Sequence, residues 1–551
     1  MHFESTWPVI KYSLLIRVLK KFDLLESIKA PPESDFDCYL ITHTKHEWIL
    51  NPPTNTNCVF VCTKGYTFDS HQAITDLLNS KLFKIIVQKH PESTKHSHHQ
   101  KLLFTTDTSR ALKEILSSCI ESRKLKSSLK ICAVTGTNGK TSITQIAGQL
   151  IEGITKTKCA KVGTLGYQQG DVQQELSHPT MPSFYDLTRV MEDCKHNHIE
   201  HLVMEATSQG LIEERLGNLA VDVAIYTNLT PDHLDYHQTM EKYRQAKTTL
   251  FHRHLTKNGT AVMNCCDPNW RYFIESCLLH KPRLLGTGTS AEKEGFFNFV
   301  RTYTLLSDSM YFEAENVVLD KSGFSATIKI WKELKIFHEV QLKCPLLGKF
   351  QLENTLLSFA SCVGLGFSIP DLADLVSQLK PIPGRLERVQ GTRPNPHLDP
   401  IVLVDYAHSP DSLEKALHAC RALLKEDSSL WCVFGCGGDR DPSKRPVMGN
   451  IAQKNADAIV ITSDNPRNED PKLIADAIVS GIHSCSSLNI LLDRKQAIKF
   501  AIESAKPKDI ILIAGKGHES YQIIGNTKYP MSDFELAASA LDSLYLQELT
   551  P

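Results

Sequence analysis

The residues best equipped for chemistry stand in the run Val134-Thr135-Gly136-Thr137-Asn138-Gly139-Lys140-Thr141. This run lies between a strand-sized apolar segment, 131–134, and a stretch with helical periodicity from about residue 140 to 151. Glycines let the backbone turn its N–H groups inward, and the following helix N-terminus adds a dipole that favours phosphate. Lys140 is placed to reach the outer phosphates, and the Thr141 hydroxyl to ligate magnesium. The first glycine is Gly136 and position 134 is Val, so the loop is a shortened form of G-x-x-x-x-G-K-[ST]. A simple helix-capping turn fits the strand–turn–helix context less well. Alone, the loop implies a bound nucleotide and leaves a GTPase-like switch or an ATP-driven motor open.

Downstream clusters narrow the chemistry. Glu205, in Val203-Met204-Glu205-Ala206-Thr207-Ser208, follows an apolar run and offers the carboxylate oxygen that a hard cation prefers. By itself it reads better as an acid at a helix N-terminus. The segment Asp232-His233-Leu234-Asp235-Tyr236-His237 places two histidines and two aspartates within six residues, and Lys247 follows on a helical stretch.

These side chains need elements to hold them. At 551 residues the chain exceeds one core and suits three domains. Apolar runs at 202–204, 223–226, 401–404, 431–434, 458–461 and 510–513 alternate with helical stretches. That alternation predicts α/β architecture with parallel sheets, helices on both faces, and ligands beyond the carboxyl ends of the strands. Residues 1–125 are less legible, although Lys11, Arg17, Lys20 and Lys21 among Leu and Ile predict an amphipathic first helix rather than a signal peptide. His90, His96, His98 and His99 share no periodic face, which favours a solvated loop over a metal site. A net charge of −1 gives no reason to expect nucleic acid or an anionic membrane as partner, and no apolar run is long enough for membrane insertion. Sixteen cysteines without any Cys-x-x-Cys pair read as small buried hydrophobes in a reducing, cytoplasmic setting, with no structural zinc.

From about residue 130 to 534 the sequence resembles the Mur ligases, which build the peptide of bacterial cell-wall precursors. The resemblance is carried by the phosphate loop, the Glu205 cluster, Asn228 to His237, Lys247, Gly384-Arg385-Leu386-Glu387 and Asp405-Tyr406-Ala407-His408. It implies a central P-loop mononucleotide-binding parallel sheet (126–385) and a C-terminal Rossmann-like sheet that binds the amino acid (386–551). Residues 1–125 would bind the UDP-sugar. In that family ATP phosphorylates a substrate carboxylate, and an amine then displaces phosphate from the acyl phosphate. The resemblance assigns the nucleotide to Gly136, Thr137, Asn138, Gly139, Lys140, Thr141, Asn264, Asn354, Arg385, Asp405 (a ribose contact) and His408. Magnesium would be held by Thr141, Glu205, His233 and Lys247, the last carbamylated in the family, and Lys140, Glu205, His233 and Lys247 would be catalytic.

Three C-terminal motifs resemble the branch that adds the third residue, to UDP-N-acetylmuramoyl-L-alanyl-D-glutamate. They are the stretch around Arg440, Asp464-Asn465-Pro466-Arg467, and Gly515-Lys516-Gly517-His518-Glu519. Within that branch Asp-Asn-Pro-Arg accompanies meso-diaminopimelate, whose far end carries a second carboxylate and ammonium. Arg467 and Arg440 can grip that carboxylate, and Asp464 and Glu519 can take the ammonium, with Asn465 as neutral partner and Gly515 beside them. Lysine would leave the arginine unpaired. For the UDP-dipeptide the resemblance points to Thr180, Ser183, Ser208 and Arg215. It departs from the family pattern at Met181, Gln209 and Gln351, and the uridine segments Thr42-His43-Thr44-Lys45 and 65–71 echo the pattern weakly. A monomer is expected. The competing readings are a lysine-adding or folate polyglutamate ligase of the same family, and a non-catalytic Mur-like scaffold; retention of Lys140, Glu205 and Lys247 weighs against the scaffold.

Overall fold

The computed structural model describes residues 8–25, 37–42, 57–63, 69–79, 82, 84–88, 91–170, 172–176, 180–303, 308–392, 399–484 and 487–548. Positions 43–45, 64–68 and 90, which carry most of the uridine segments and one of the clustered histidines, lie outside them. The chain divides into two compact units: Met1–Ala133 with Thr157–Asp222 and His252–Thr256, and Val134–Lys156 with Val223–Phe251 and Lys257–Pro551.

The first unit contains a five-stranded sheet in chain order, Val9–Lys11, Asp37–Ile41, Asn57–Val61, Lys84–Gln88 and Leu102–Thr105. All its pairs are parallel except the first. The helix Tyr12–Lys21 buries Tyr12, Leu15, Ile16, Val18 and Leu19 and exposes Arg17, Lys20 and Lys21, as its amphipathic pattern predicts. His98 and His99 are exposed after the short helix Pro91–Lys95, and no group of three metal-capable side chains occurs among the described residues. In the same unit His201–Glu205 runs parallel to Ala160–Gly163.

In the second unit every C-terminal strand expected from the sequence is present. The sheet order is Glu387–Val389, Ile401–Asp405, Ile510–Ala514, Leu430–Phe434, Ala458–Ile461 and Leu488–Ile490. The first strand is antiparallel and the others are parallel. Continuous apolar runs such as Ile510–Ala514 are buried along their whole length, because separate hydrophobic clusters cover both faces of this sheet.

The expectation of parallel sheets fails over two stretches, the short antiparallel strands Ala160–Gly163, Gly166–Gln169 and Val172–Gln174 and a longer one in the second unit. Met310–Asp320, Gly323–Lys332 and Lys335–Cys344 form an antiparallel meander. Its second turn has only Glu333 and Leu334 between paired Lys332 and Lys335, and both have left-handed backbone, φ 50° and 64°. That is the geometry of a type I′ hairpin without the Asn-Gly signature that normally announces it.

Among the described residues the cysteines are free and all but Cys266 are buried, and no helix is long and apolar enough to cross a membrane.

Candidate active site

The phosphate loop is built where the strand Lys130–Thr135 ends and the helix Lys140–Thr155 begins. Gly136 has φ 148°, and a Cβ there would lie 1.8 Å from Thr227 Oγ1; Gly139 has φ 89°, and a Cβ would lie 2.6 Å from Asn354 Oδ1. The loop is clamped against the next strand end. Thr137 N donates to Asn228 O at 2.8 Å, Asn138 N to Asn228 Oδ1 at 3.0 Å, and Thr227 Oγ1 to Asn138 O at 2.6 Å. A Gly136→Ala variant must break this packing and hold a strained backbone, which costs about 1–3 kcal/mol. Its ADP affinity, measured by calorimetry, should fall about fivefold to more than a hundredfold.

Two lysines converge on one oxygen of this loop. Lys140 Nζ donates to Gly136 O at 3.0 Å and to Thr137 O at 2.7 Å, while Lys247 Nζ donates to Gly136 O at 2.8 Å. Lys247 sits on the helix Met240–Thr249 with only 1% of its surface exposed. Burial first, and then the Lys140 charge, hold its pKa well below the usual lysine value, with only Asp232 opposing. The neutral amine of Lys247 is therefore reached at a lower pH than on an exposed lysine.

Of the other nucleotide candidates of this unit, Arg385 and Asn354 reach the loop. Thr141 Oγ1 accepts from Arg385 Nη2 at 3.0 Å, and the Arg385 guanidinium lies 4.7 Å from the Tyr406 ring centre. Asn354 donates from Nδ2 to Gln351 Oε1 at 3.1 Å. Gln351, a departure from the family pattern, thus orients the asparagine that touches Gly139. Buried Asp405 accepts from Leu386 N and Ala407 N, each at 2.8 Å, and so fixes the turn that carries Arg385. Burial raises its pKa despite the nearby Arg385. Asn264 Oδ1 accepts from Cys266 N at 3.1 Å, at the end of the strand Leu255–Asn264. His408 is exposed, with Nδ1 2.8 Å from Tyr406 O, and His233 is exposed with left-handed backbone, φ 53°, and Nε2 3.5 Å from Asp232 Oδ2.

A second cluster lies at the carboxyl ends of the C-terminal strands. Lys516, fully buried, donates to Asn465 Oδ1 at 3.1 Å and to Glu519 Oε2 at 2.8 Å, and Asn465 Nδ2 donates to the same Glu519 oxygen at 3.0 Å. Gly515 has φ 114°, and a Cβ there would lie 2.6 Å from Asp464 Oδ2. On the other side Arg467 Nη1 donates to Gly438 O at 2.7 Å. A Cβ on Gly437 would lie 3.0 Å from Arg467 Nη1 and 3.8 Å from Arg440 Cγ, so the two arginines flank one glycine. The arrangement brings cationic forks and anionic or amide groups together, as recognition of an amino-acid head requires.

The first unit holds the remaining candidates. Glu205 is buried at its strand end, where it accepts from Thr164 N at 2.7 Å and from Thr164 Oγ1 at 3.1 Å. Thr164 Oγ1 lies 3.1 Å from Thr180 Oγ1. Ser183 caps the helix Phe184–His196 by accepting from Asp186 N. Ser208 is buried at the start of the helix Ser208–Ile212. Arg215 pairs with Glu213 and donates to Met181 O at 2.8 Å. Met181 is fully buried, and its sulfur lies 2.3 Å from where a Gly210 Cβ would stand. This departure therefore joins the segments of Thr180, Ser208 and Arg215 through packing. Gln209 is exposed and pairs with Glu213.

The Mur ligase middle domain family matches residues 134–362, and the family described as Mur ligase, glutamate ligase domain matches 384–517. The UDP-N-acetylmuramoyl-L-alanyl-D-glutamate–2,6-diaminopimelate ligase of Rickettsia conorii is 35% identical over 481 residues, covering 87% of this chain and 92% of that protein. The chain belongs to the Mur ligase family. A solved structure of a ligase with the same printed name aligns with TM-score 0.58 at 29% identity, covering 89% of this chain and 92% of that one. MurF from Acinetobacter baumannii aligns with TM-score 0.61 at 17% identity, over 97% of this chain and all of that one, which shows the shared fold.

As a Mur ligase the chain is an ATP-using, ADP-forming enzyme. Three contacts of its site escaped the sequence reading. Asp411, in the first turn of the helix Pro410–Arg421, accepts from Asn138 Nδ2 at 2.7 Å and so ties the phosphate loop to the C-terminal sheet's first helix. Tyr243 holds Thr137 Oγ1 at 3.2 Å and lays its ring 4.4 Å from Lys247 Nζ. Lys516 was visible inside a motif, but only its burial identifies it as the bridge between Asn465 and Glu519.

Proposed function

We propose that this Mur ligase adds meso-diaminopimelate to UDP-N-acetylmuramoyl-L-alanyl-D-glutamate in the cytoplasm, as a monomer with three functional regions bounded near residues 125 and 385. ATP, bound at Gly136–Thr141 with Asn264, Asn354, Arg385, Asp405 and His408 around it, phosphorylates a substrate carboxylate. The amine of the incoming amino acid then attacks the acyl phosphate and inorganic phosphate leaves. Such transfer depends on positioning and charge neutralisation more than on covalent help from the protein, and the clamped loop supplies the positioning. Thr180, Ser183, Ser208 and Arg215 are the proposed contacts of the UDP-dipeptide.

Magnesium demands hard oxygen ligands. An ammonium at Lys247 would repel it, but the buried neutral amine can add to carbon dioxide: its lone pair bonds the carbon, a proton leaves, and an anionic carbamate results. With that change Lys247 offers a hard anionic oxygen. The Thr141 hydroxyl, the Lys247 carbamate and the His233 imidazole would hold the ion, which neutralises phosphate charge when bound, and Glu205 is the proposed carboxylate ligand of magnesium from the first unit.

The observation that carries the choice of amino acid is the pair of arginines flanking Gly437, near Asp464, Asn465 and Glu519. A far-end carboxylate meets the guanidinium groups and a far-end ammonium meets the carboxylates. The name of the Rickettsia relative agrees with this choice. Purified protein with ATP, magnesium, the UDP-dipeptide and a panel of amino acids should release phosphate with diaminopimelate and far less with lysine. Release with lysine alone would move the protein to the lysine-adding branch, and no release with any amino acid would sink the ligase reading.

A further inference from the structure

Behind the amino-acid site lies a charge pair that the proposed mechanism does not use. Arg494 and Asp533 are both fully buried. Arg494 Nε donates to Asp533 Oδ1 at 2.7 Å, and Nη2 donates to Asp533 Oδ2 at 2.7 Å. The remaining donors face backbone: Nη2 reaches Ala514 O at 2.9 Å and Nη1 reaches Ser463 O at 3.2 Å. Each of these carbonyls belongs to the residue immediately before a loop of the site, Asp464 in one case and Gly515 in the other. The strands that lead into those loops are not neighbours, since Leu430–Phe434 lies between them in the sheet. Ladder hydrogen bonds therefore do not set the spacing between the loops directly. The guanidinium spans that interval, bonding the carbonyl that precedes each loop.

We infer that the Arg494–Asp533 pair is a positioning device for the amino-acid site, fixing the spacing of the Asp464–Arg467 and Gly515–Glu519 loops. This rests on the reading of those loops as the amino-acid site. The tolerance there is small. Gly515 admits no Cβ beside Asp464, and the Lys516–Asn465 and Asn465–Glu519 contacts at 3.1 and 3.0 Å cross between the loops. A displacement of about 0.5 Å is enough to degrade a recognition site of this kind. A planar fork can serve a carboxylate and two carbonyls together, which a lysine ammonium cannot match in geometry. A buried ion pair contributes little net stability over a well-packed apolar pair, so what this one supplies is geometry.

Two variants of the full chain test the inference, Arg494→Lys and the volume-conserving double Arg494→Met/Asp533→Leu. The double variant removes both charges, leaving neither partner buried alone. The expected result is a cooperative thermal transition, a KM for diaminopimelate raised about tenfold or more, and a KM for ATP within about twofold of the parent. A diaminopimelate KM that stays put, an equal rise for ATP, or loss of the cooperative transition in both variants would overturn the inference and leave the pair a folding element. Arg467→Ala assayed alongside separates the two ideas, because an unchanged diaminopimelate KM there removes the amino-acid site itself.

Discussion

Replacing Lys247 with alanine should lower kcat about a hundred- to a thousandfold, the scale of losing one electrostatic contact to developing charge, with ADP affinity much less affected. Lys247 is buried, shares the Gly136 carbonyl with Lys140, and lies against the Tyr243 ring. A permanent ammonium there would sit beside a second cation with almost no water to screen it. Burial and Lys140 depress its pKa, so the reactive neutral amine persists at a lower pH than on an exposed lysine. Activity should fall as the pH drops through that depressed value, because protonation removes the lone pair that binds carbon dioxide. Added bicarbonate should restore turnover in protein depleted of carbon dioxide, and formate or acetate should partly rescue the alanine variant by placing a carboxylate in the space vacated. Full activity in Lys247→Ala would assign the residue to packing alone.

How much of this was legible follows from how local each signal is. The strand-end positions of the phosphate loop, Glu205 and the Asp464–Arg467 turn were readable because each lies where a short apolar run ends in a polar cluster, a pattern written within a dozen residues. The same pattern located the parallel strands of the C-terminal sheet. Asp411 was not readable, because its partner Asn138 is 273 positions away and only packing joins them. Arg494 and Asp533 are ordinary helix-terminal charges in sequence, and their full burial is a tertiary fact. The meander over 310–344 was missed because its tight turn uses Glu333 and Leu334 in left-handed backbone, against local preference. Met181 reads as a lost polar contact in sequence, whereas in the fold its side chain fills the space beside Gly210 and its carbonyl holds Arg215.

Arg467→Ala should raise the KM for diaminopimelate about thirtyfold, near the lower end of the 2–5 kcal/mol lost when a buried charge pair is cut to one partner, while the KM for ATP stays nearly constant. The lower end applies because Arg440 flanks the same glycine and can retain part of the grip. Arg467 is held from both sides of its peptide, with N donating to Ile523 O at 3.1 Å and O accepting from Gly525 N at 2.7 Å. Alanine can keep this backbone, including its φ of 51°, so the variant removes the guanidinium without releasing the loop. Arg467→Lys should recover only part of the loss, since a point charge cannot bind a carboxylate through two parallel N–H groups. The discrimination between diaminopimelate and lysine should shrink in the same variants, because the unpaired guanidinium that penalises lysine is gone. Equal effects on the KM values for ATP and diaminopimelate would remove Arg467 from amino-acid recognition and leave Gly438 O, its contact at 2.7 Å, as its whole role.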